Sequence, residues 1–115
     1  MDSVKILNIE CRLQFGFYPN NTVAMDAYSI PDDEPYWRLT VNWEKNFEGT
    51  DYKKRFQFPM VIIKNYSENE GVFAELVKAN VITPGFYLSG TAGTVQSAML
   101  TEKWQEVAKQ QLKIL

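Results

Sequence analysis

Glu34-Pro35-Tyr36-Trp37-Arg38-Leu39-Thr40-Val41-Asn42-Trp43 is the stretch that decides how this chain reads. After Pro35 the apolar residues Trp37, Leu39, Val41 and Trp43 fall at every second position, with Arg38, Thr40 and Asn42 between them. A period of two belongs to a strand with one buried and one wet face, because successive side chains point to opposite sides. Two tryptophans on one side bring more apolar area than any other segment offers. The expectation is a strand placed centrally, against the core.

Working outward, the same alternation runs from Ile6 to Phe17, with Leu7, Ile9, Cys11, Leu13, Phe15 and Phe17 on one face. It predicts one long strand, half wet, as in an antiparallel sheet. Tyr18-Pro19-Asn20-Asn21 supplies turn chemistry. A second strand is expected from Thr22 to about Ile30, with Val23, Met25 and Ala27 facing inward. Pro31 to Pro35 forms the next turn, so three strands follow one another as a meander. Beyond the polar stretch Glu44–Arg55, Phe56 to Lys64 reads as a further strand. Pro59 confines it to an edge, or to regularity only after the proline.

Two helices complete the pattern. Ser67 and Glu70 have the spacing of a capping box, and Val72, Phe73, Leu76 and Val77 make an apolar stripe, predicting a helix over 67–80. Thr83-Pro84-Gly85 reads as a breaker. Phe86 to Leu100 is expected to form a hairpin with a loose or bulged connection through Ser89–Thr94. Thr101 then caps a helix over 101–112 whose inner face is Trp104, Val107, Ala108 and Leu112. The predicted architecture is one α+β domain over 1–115, a mostly antiparallel sheet of five to six strands with two amphipathic helices on one face.

Composition narrows the chemistry. A chain of 115 residues is the size of one domain and can bury a continuous core. It has no histidine and a single cysteine, Cys11. Ser-His-Asp and Cys-His arrangements, internal disulfides and thiolate zinc sites are therefore outside its reach. The net charge of −2, with both signs interleaved, exerts no pull toward polyanions or anionic membranes. Met1 to Asn8 lacks the apolar run of a signal peptide, and no stretch reaches the length of a membrane span, so the expected location is cytoplasmic with no membrane partner.

Four groups of residues invite a functional reading. Asp32, Asp33 and Glu34 have the chemistry to hold a hard cation, but they lack calcium-loop spacing and read better as an acidic turn, so no metal or cofactor is expected. Ser89 to Ser97 has the small residues of a phosphate loop without its Lys-Ser/Thr pair; a turn and a ligand-binding loop both stay open. Lys53, Lys54 and Arg55, flanked by Tyr52 and Phe56 and joined with Arg38, Lys45 and Lys64, mix basic and aromatic residues as single-strand nucleic-acid binders do. Tyr28, Tyr36 and Phe58 fall out of phase with the inward set. Aromatics on an open sheet face serve as cross-strand pairs or as a protein-binding surface.

Asp32-Asp33-Glu34-Pro35-Tyr36-Trp37-Arg38-Leu39-Thr40-Val41-Asn42 resembles the Gly-Glu-Pro-Tyr-Ala-x-Leu-Thr-Val-Asn core of a family of small bacterial proteins, the domain of unknown function 4313 family. Phe73-Ala74-Glu75-Leu76-Val77 and the Gly/Thr/Ser stretch after it resemble that family more weakly. The chain departs from the pattern after Asn42, where Trp43-Glu44-Lys45-Asn46-Phe47 replaces a proline-rich loop, and near Met99, where an aromatic run is missing. The resemblance implies residence on phages and mobile elements and brings no catalytic residues. The expected function is a non-enzymatic protein-binding accessory factor, a counter-defence inhibitor of a host protein being one form. Its partner-binding residues would be Tyr28, Tyr36, Arg38, Tyr52, Lys53, Lys54 and Arg55. The alternative is single-stranded nucleic-acid binding through 52–56, and a homodimer through a sheet edge is a further option.

Overall fold

A computed structural model describes residues 3–19, 22–30, 35–41, 58–66, 69–90 and 93–113. Within them the order is β1 (Ser3–Ile6), β2 (Ile9–Phe17), β3 (Val23–Ser29), β4 (Pro35–Arg38), β5 (Met60–Ile63), α1 (Val72–Lys78), β6 (Ile82–Gly90), β7 (Gly93–Leu100) and α2 (Glu102–Leu112). The class is α+β, mostly antiparallel sheet, as the alternation predicts. The strands number seven among the described residues and lie in two sheets, ordered β1-β2-β3-β4 and β5-β7-β6, instead of five to six in one.

The described part of the alternating stretch, residues 35–41, joins the two sheets. Trp37 is half-buried against the core, and Leu39 is fully buried. As a regular strand the segment ends at Arg38, on the margin of the four-stranded sheet. Past that point its backbone serves both sides. Leu39 N–H donates to Met25 O of β3 at 2.9 Å, while Val41 N–H donates to Ile62 O at 3.0 Å and Lys64 N–H to Leu39 O at 2.9 Å. The buried hydroxyl of Thr40 accepts from Met25 N–H at 3.1 Å, completing the seam. The segment is therefore central to the molecule without being a long central strand. Asn42 and Trp43 lie outside the described residues.

The expected single strand from Ile6 to Phe17 is a hairpin. Leu7 and Asn8 both have positive φ, 48° and 70°, the backbone of a two-residue turn whose twist matches that of paired strands. Ile6 and Val4 are buried and Leu7 turns outward. The period of two hid this turn, because leucine seldom adopts a left-handed conformation. After the turn the alternation holds: Cys11, Leu13 and Phe15 are buried, and opposite them Val23, Met25 and Ala27.

The helix α1 begins at Val72, later than a cap at Ser67 requires, and Ser67 lies outside the described residues. Gly71 at φ 91° turns the chain into it, and Asn65 Oδ1 accepts from Phe73 N–H at 3.0 Å. This side-chain bond satisfies one of the free N–H groups of the first turn. Val72, Phe73 and Leu76 face the core, whereas Val77 is exposed. At its far end Asn80, at φ 60°, lets Val81 N–H reach back to Leu76 O at 2.9 Å. The helix touches both β1 and β6.

Thr83-Pro84-Gly85 does not break the chain; it lies inside β6. Pro84 is tolerated because β6 is an edge strand, and the register slips between Pro84 and Tyr87. The buried hydroxyl of Ser97 fills this bulge, accepting from Phe86 N–H at 3.0 Å and donating to Phe86 O at 3.1 Å. A Cβ at Gly85 would strike Ser97 and lie 2.8 Å from its carbonyl oxygen, so only glycine fits there. The helix α2 runs as expected, with Trp104 and Ala108 buried and the Trp104 ring 6.4 Å from that of Phe15. Strands from both sheets and both helices share one hydrophobic cluster.

Candidate functional site

Alternation fixes what the outer face of the four-stranded sheet carries. Because Cys11, Leu13 and Phe15 point into the cluster that α1 and α2 complete, Arg12, Gln14 and Gly16 point away from it. By register Arg12 stands opposite Tyr28 and Gln14 opposite Asp26, with Arg38 beyond Asp26. Two arginine–tyrosine pairs result. The Arg12 guanidinium lies over the Tyr28 ring, 4.3 Å from its centroid, and donates to Gln14 Oε1 at 2.8 Å.

Arg38 is held more fully. It pairs with the Asp26 carboxylate, lies 5.6 Å from the centroid of the Tyr18 ring and reaches the Tyr18 hydroxyl at 3.4 Å. That hydroxyl donates in turn to Thr40 O at 3.1 Å and meets Thr40 Oγ1 at 3.0 Å. The bond to Tyr18, then the bond and charge of Asp26, push the Arg38 guanidinium above its ordinary pKa against the opposing effect of burial. It stays charged at every pH at which the protein is folded.

Of the residues singled out in the sequence, Tyr28 and Arg38 lie on this one face. Tyr18 and Arg12 are the partners that the sequence reading missed; the signal for Arg12 was its even position in β2, in phase with the wet side. The side chain of Tyr36 and all of Tyr52, Lys53, Lys54 and Arg55 lie outside the described residues, as do Asp32, Asp33, Glu34 and Lys45. Phe58 is not an open-face aromatic, since it packs partly buried against the core. Lys64 sits with Tyr66, 5.4 Å from its ring centroid.

The other candidates are placed as follows. Ser89 and Thr94 pair across β6 and β7, as do Gly90 and Gly93, so these four small residues belong to the ladder of the two strands, and Thr91 and Ala92 lie outside the described residues. The Val95–Leu100 segment after it is a strand, and no helix dipole follows. Cys11 is fully buried, and desolvation, with the charge of Glu10 second, pushes its thiol pKa up. Such a thiol is a core hydrophobe and a poor nucleophile. Among the described residues no three carboxylates or thiols gather as metal ligands, and no helix is long and apolar enough to cross a membrane. An open depression of about 260 Å³ lies between the β1–β2 turn and α1, lined by Lys5, Asn8, Glu75, Lys78 and Ala79. Glu75 is already engaged there, accepting from Leu7 N–H at 3.1 Å.

No protein-family model matches the chain, and no curated protein or solved structure matches it either.

Proposed function

We propose that this protein is a non-enzymatic, cytoplasmic binding factor that docks a protein partner on the outer face of its four-stranded sheet, through Arg12, Tyr28 and Arg38. The observation that carries the reading is the pair of arginine–tyrosine contacts on that face. Arginine and tyrosine are, with tryptophan, the side chains enriched among those that carry most of the energy at protein interfaces. Here both arginines are already ordered by their neighbours, so less side-chain entropy is lost when a partner binds. The resemblance of Asp32 to Asn42 to a family of mobile-element proteins supports a host protein as the partner and an accessory role, inhibition of a host defence component included.

Affinity capture from host lysate tests this, with wild type beside Tyr28→Ala and Arg38→Ala and each sample split with and without nuclease. The expected result is a protein that withstands nuclease and is lost, by at least about tenfold, with either variant. Melting temperatures of the variants guard against unfolding. A captured species that vanishes with nuclease would shift the function to single-stranded nucleic acid and to the Tyr52–Phe56 segment. Retention of the partner by both variants would remove the sheet face from consideration.

A further inference from the structure

On one side of β2 the described part of β1 accompanies it from Ile9 to Arg12, and on the other β3 follows it from Cys11 to Phe17. Bonds at the two ends of the β2–β3 ladder, Tyr18 N–H to Thr22 O and Ile30 N–H to Glu10 O, show that even-numbered residues of β2 turn their backbone groups toward β3. Those of Leu13, Phe15 and Phe17 therefore point to the other side, beyond the described part of β1. A row of this kind, where no strand pairs with it, is a template for another strand.

Gln111, in the last turn of α2, meets that row. Its Nε2–H donates to Leu13 O at 3.0 Å, and its Oε1 accepts from Phe15 N–H at 2.7 Å. One carboxamide so makes the two bonds that a single residue of a parallel neighbouring strand would make. The segment it touches, Leu13-Gln14-Phe15-Gly16-Phe17, contains no charge and no proline, the devices that usually blunt an edge. It is also self-complementary: paired antiparallel with its own copy about Phe15, Leu13 faces Phe17 and Gln14 faces Gly16. Phe17 is already 46% exposed.

We propose that Gln111 is an edge guard, a side chain that occupies the free edge of β2 and so keeps a second copy of this chain from pairing there. The guard and the strand are brought together only by the docking of α2 through Trp104 and Ala108, so the edge is covered once the helix has packed. This inference is independent of the binding role given to the outer face.

The test compares wild type with Gln111→Ala, with Gln111→Met (which keeps the stem and loses both polar atoms) and with the neighbouring Gln110→Ala. Sedimentation velocity over a concentration series and amide hydrogen exchange are read together. Wild type and Gln110→Ala are expected to stay monomeric, while both Gln111 variants dimerise. At concentrations where the variants are still monomeric, the Phe15 amide should exchange about tenfold faster, the effect of losing one hydrogen bond. Adding Phe17→Lys to Gln111→Ala should restore the monomer by setting a charged ammonium against the apolar Leu13 of the second copy. A Gln111 variant that stays monomeric with a faster Phe15 amide would overturn the guard and leave only a bond. An unchanged Phe15 amide would overturn the clasp itself, and a wild-type dimer paired through β2 would overturn both.

Discussion

The two faces of the four-stranded sheet are made by the same strands and differ in almost everything else. On the inner face Cys11, Leu13, Phe15, Val23, Met25 and Ala27 are each exposed by 4% or less and are held by shape and by the loss of water contact. On the outer face, two positions at a time, charge stands over ring: Arg12 on Tyr28, Arg38 on Tyr18 with Asp26 beside it. Removal of apolar area from water scales with the area buried, and it is lost when a side chain is truncated. Exposed cation–ring and ion pairs are weakened by water and salt. The inner face therefore sets whether the chain folds, and the outer face is free to be composed for something else.

Substitutions on either side measure that division. Trp104→Ala empties the centre of the shared core and should cost about 3–5 kcal/mol, read as a loss of midpoint in urea unfolding. Thr40→Val acts where the faces meet. It keeps the shape but removes the hydroxyl that accepts from Met25 N–H and meets Tyr18, leaving a buried donor unpaired, with an expected cost of about 1–3 kcal/mol in the same assay. Arg12→Ala belongs wholly to the outer face and should cost only about 0.5–1 kcal/mol, a loss that shrinks further in 1 M salt. A cost for Arg12→Ala as large as that for Thr40→Val would mean that the arginine–tyrosine pairs hold the fold together, and the division between the faces would fail.

The inner face was legible in the sequence for a simple reason. A strand with one buried side writes its burial as a period of two, and β2 and β3 carry that period from Cys11 to Phe15 and from Val23 to Ala27. The helix α2 was equally plain, since Trp104, Val107, Ala108 and Leu112 recur at helical spacing after Thr101. The outer face was half legible. Tyr28 and Arg38 stood out of phase with the core, but nothing in their spacing said that Tyr18 would fix Arg38 or that Arg12 would cover Tyr28. Those contacts join residues 16 and 20 positions apart, and pairing register, set by the turns, is what brings them together.

Elsewhere local rules pointed the wrong way. Leu7-Asn8 looked like continuing strand because Leu7 kept the apolar alternation and leucine seldom takes a positive φ, although asparagine does so readily. Thr83-Pro84-Gly85 looked like a breaker because its proline and glycine usually make one. Both outcomes depend on distant partners. Glu75 accepts from the backbone of Leu7 at the first turn, and Ser97 fills the bulge after Pro84.

By itself, then, the sequence determined the α+β class, the inward residues Cys11, Leu13 and Phe15 of β2 and Val23, Met25 and Ala27 of β3, the closing helix and the absence of histidine and of an internal disulfide, because periodicity and composition are properties of the chain alone. Leu7 and Phe17, expected inward, are exposed. Tertiary structure alone decided that the strands divide into two sheets joined at Leu39–Val41, that the arginines and tyrosines of the outer face stand in pairs, and that Gln111 reaches the edge of β2. Each of those is a contact between residues far apart in the chain, and its free energy exists only once the core has brought them together.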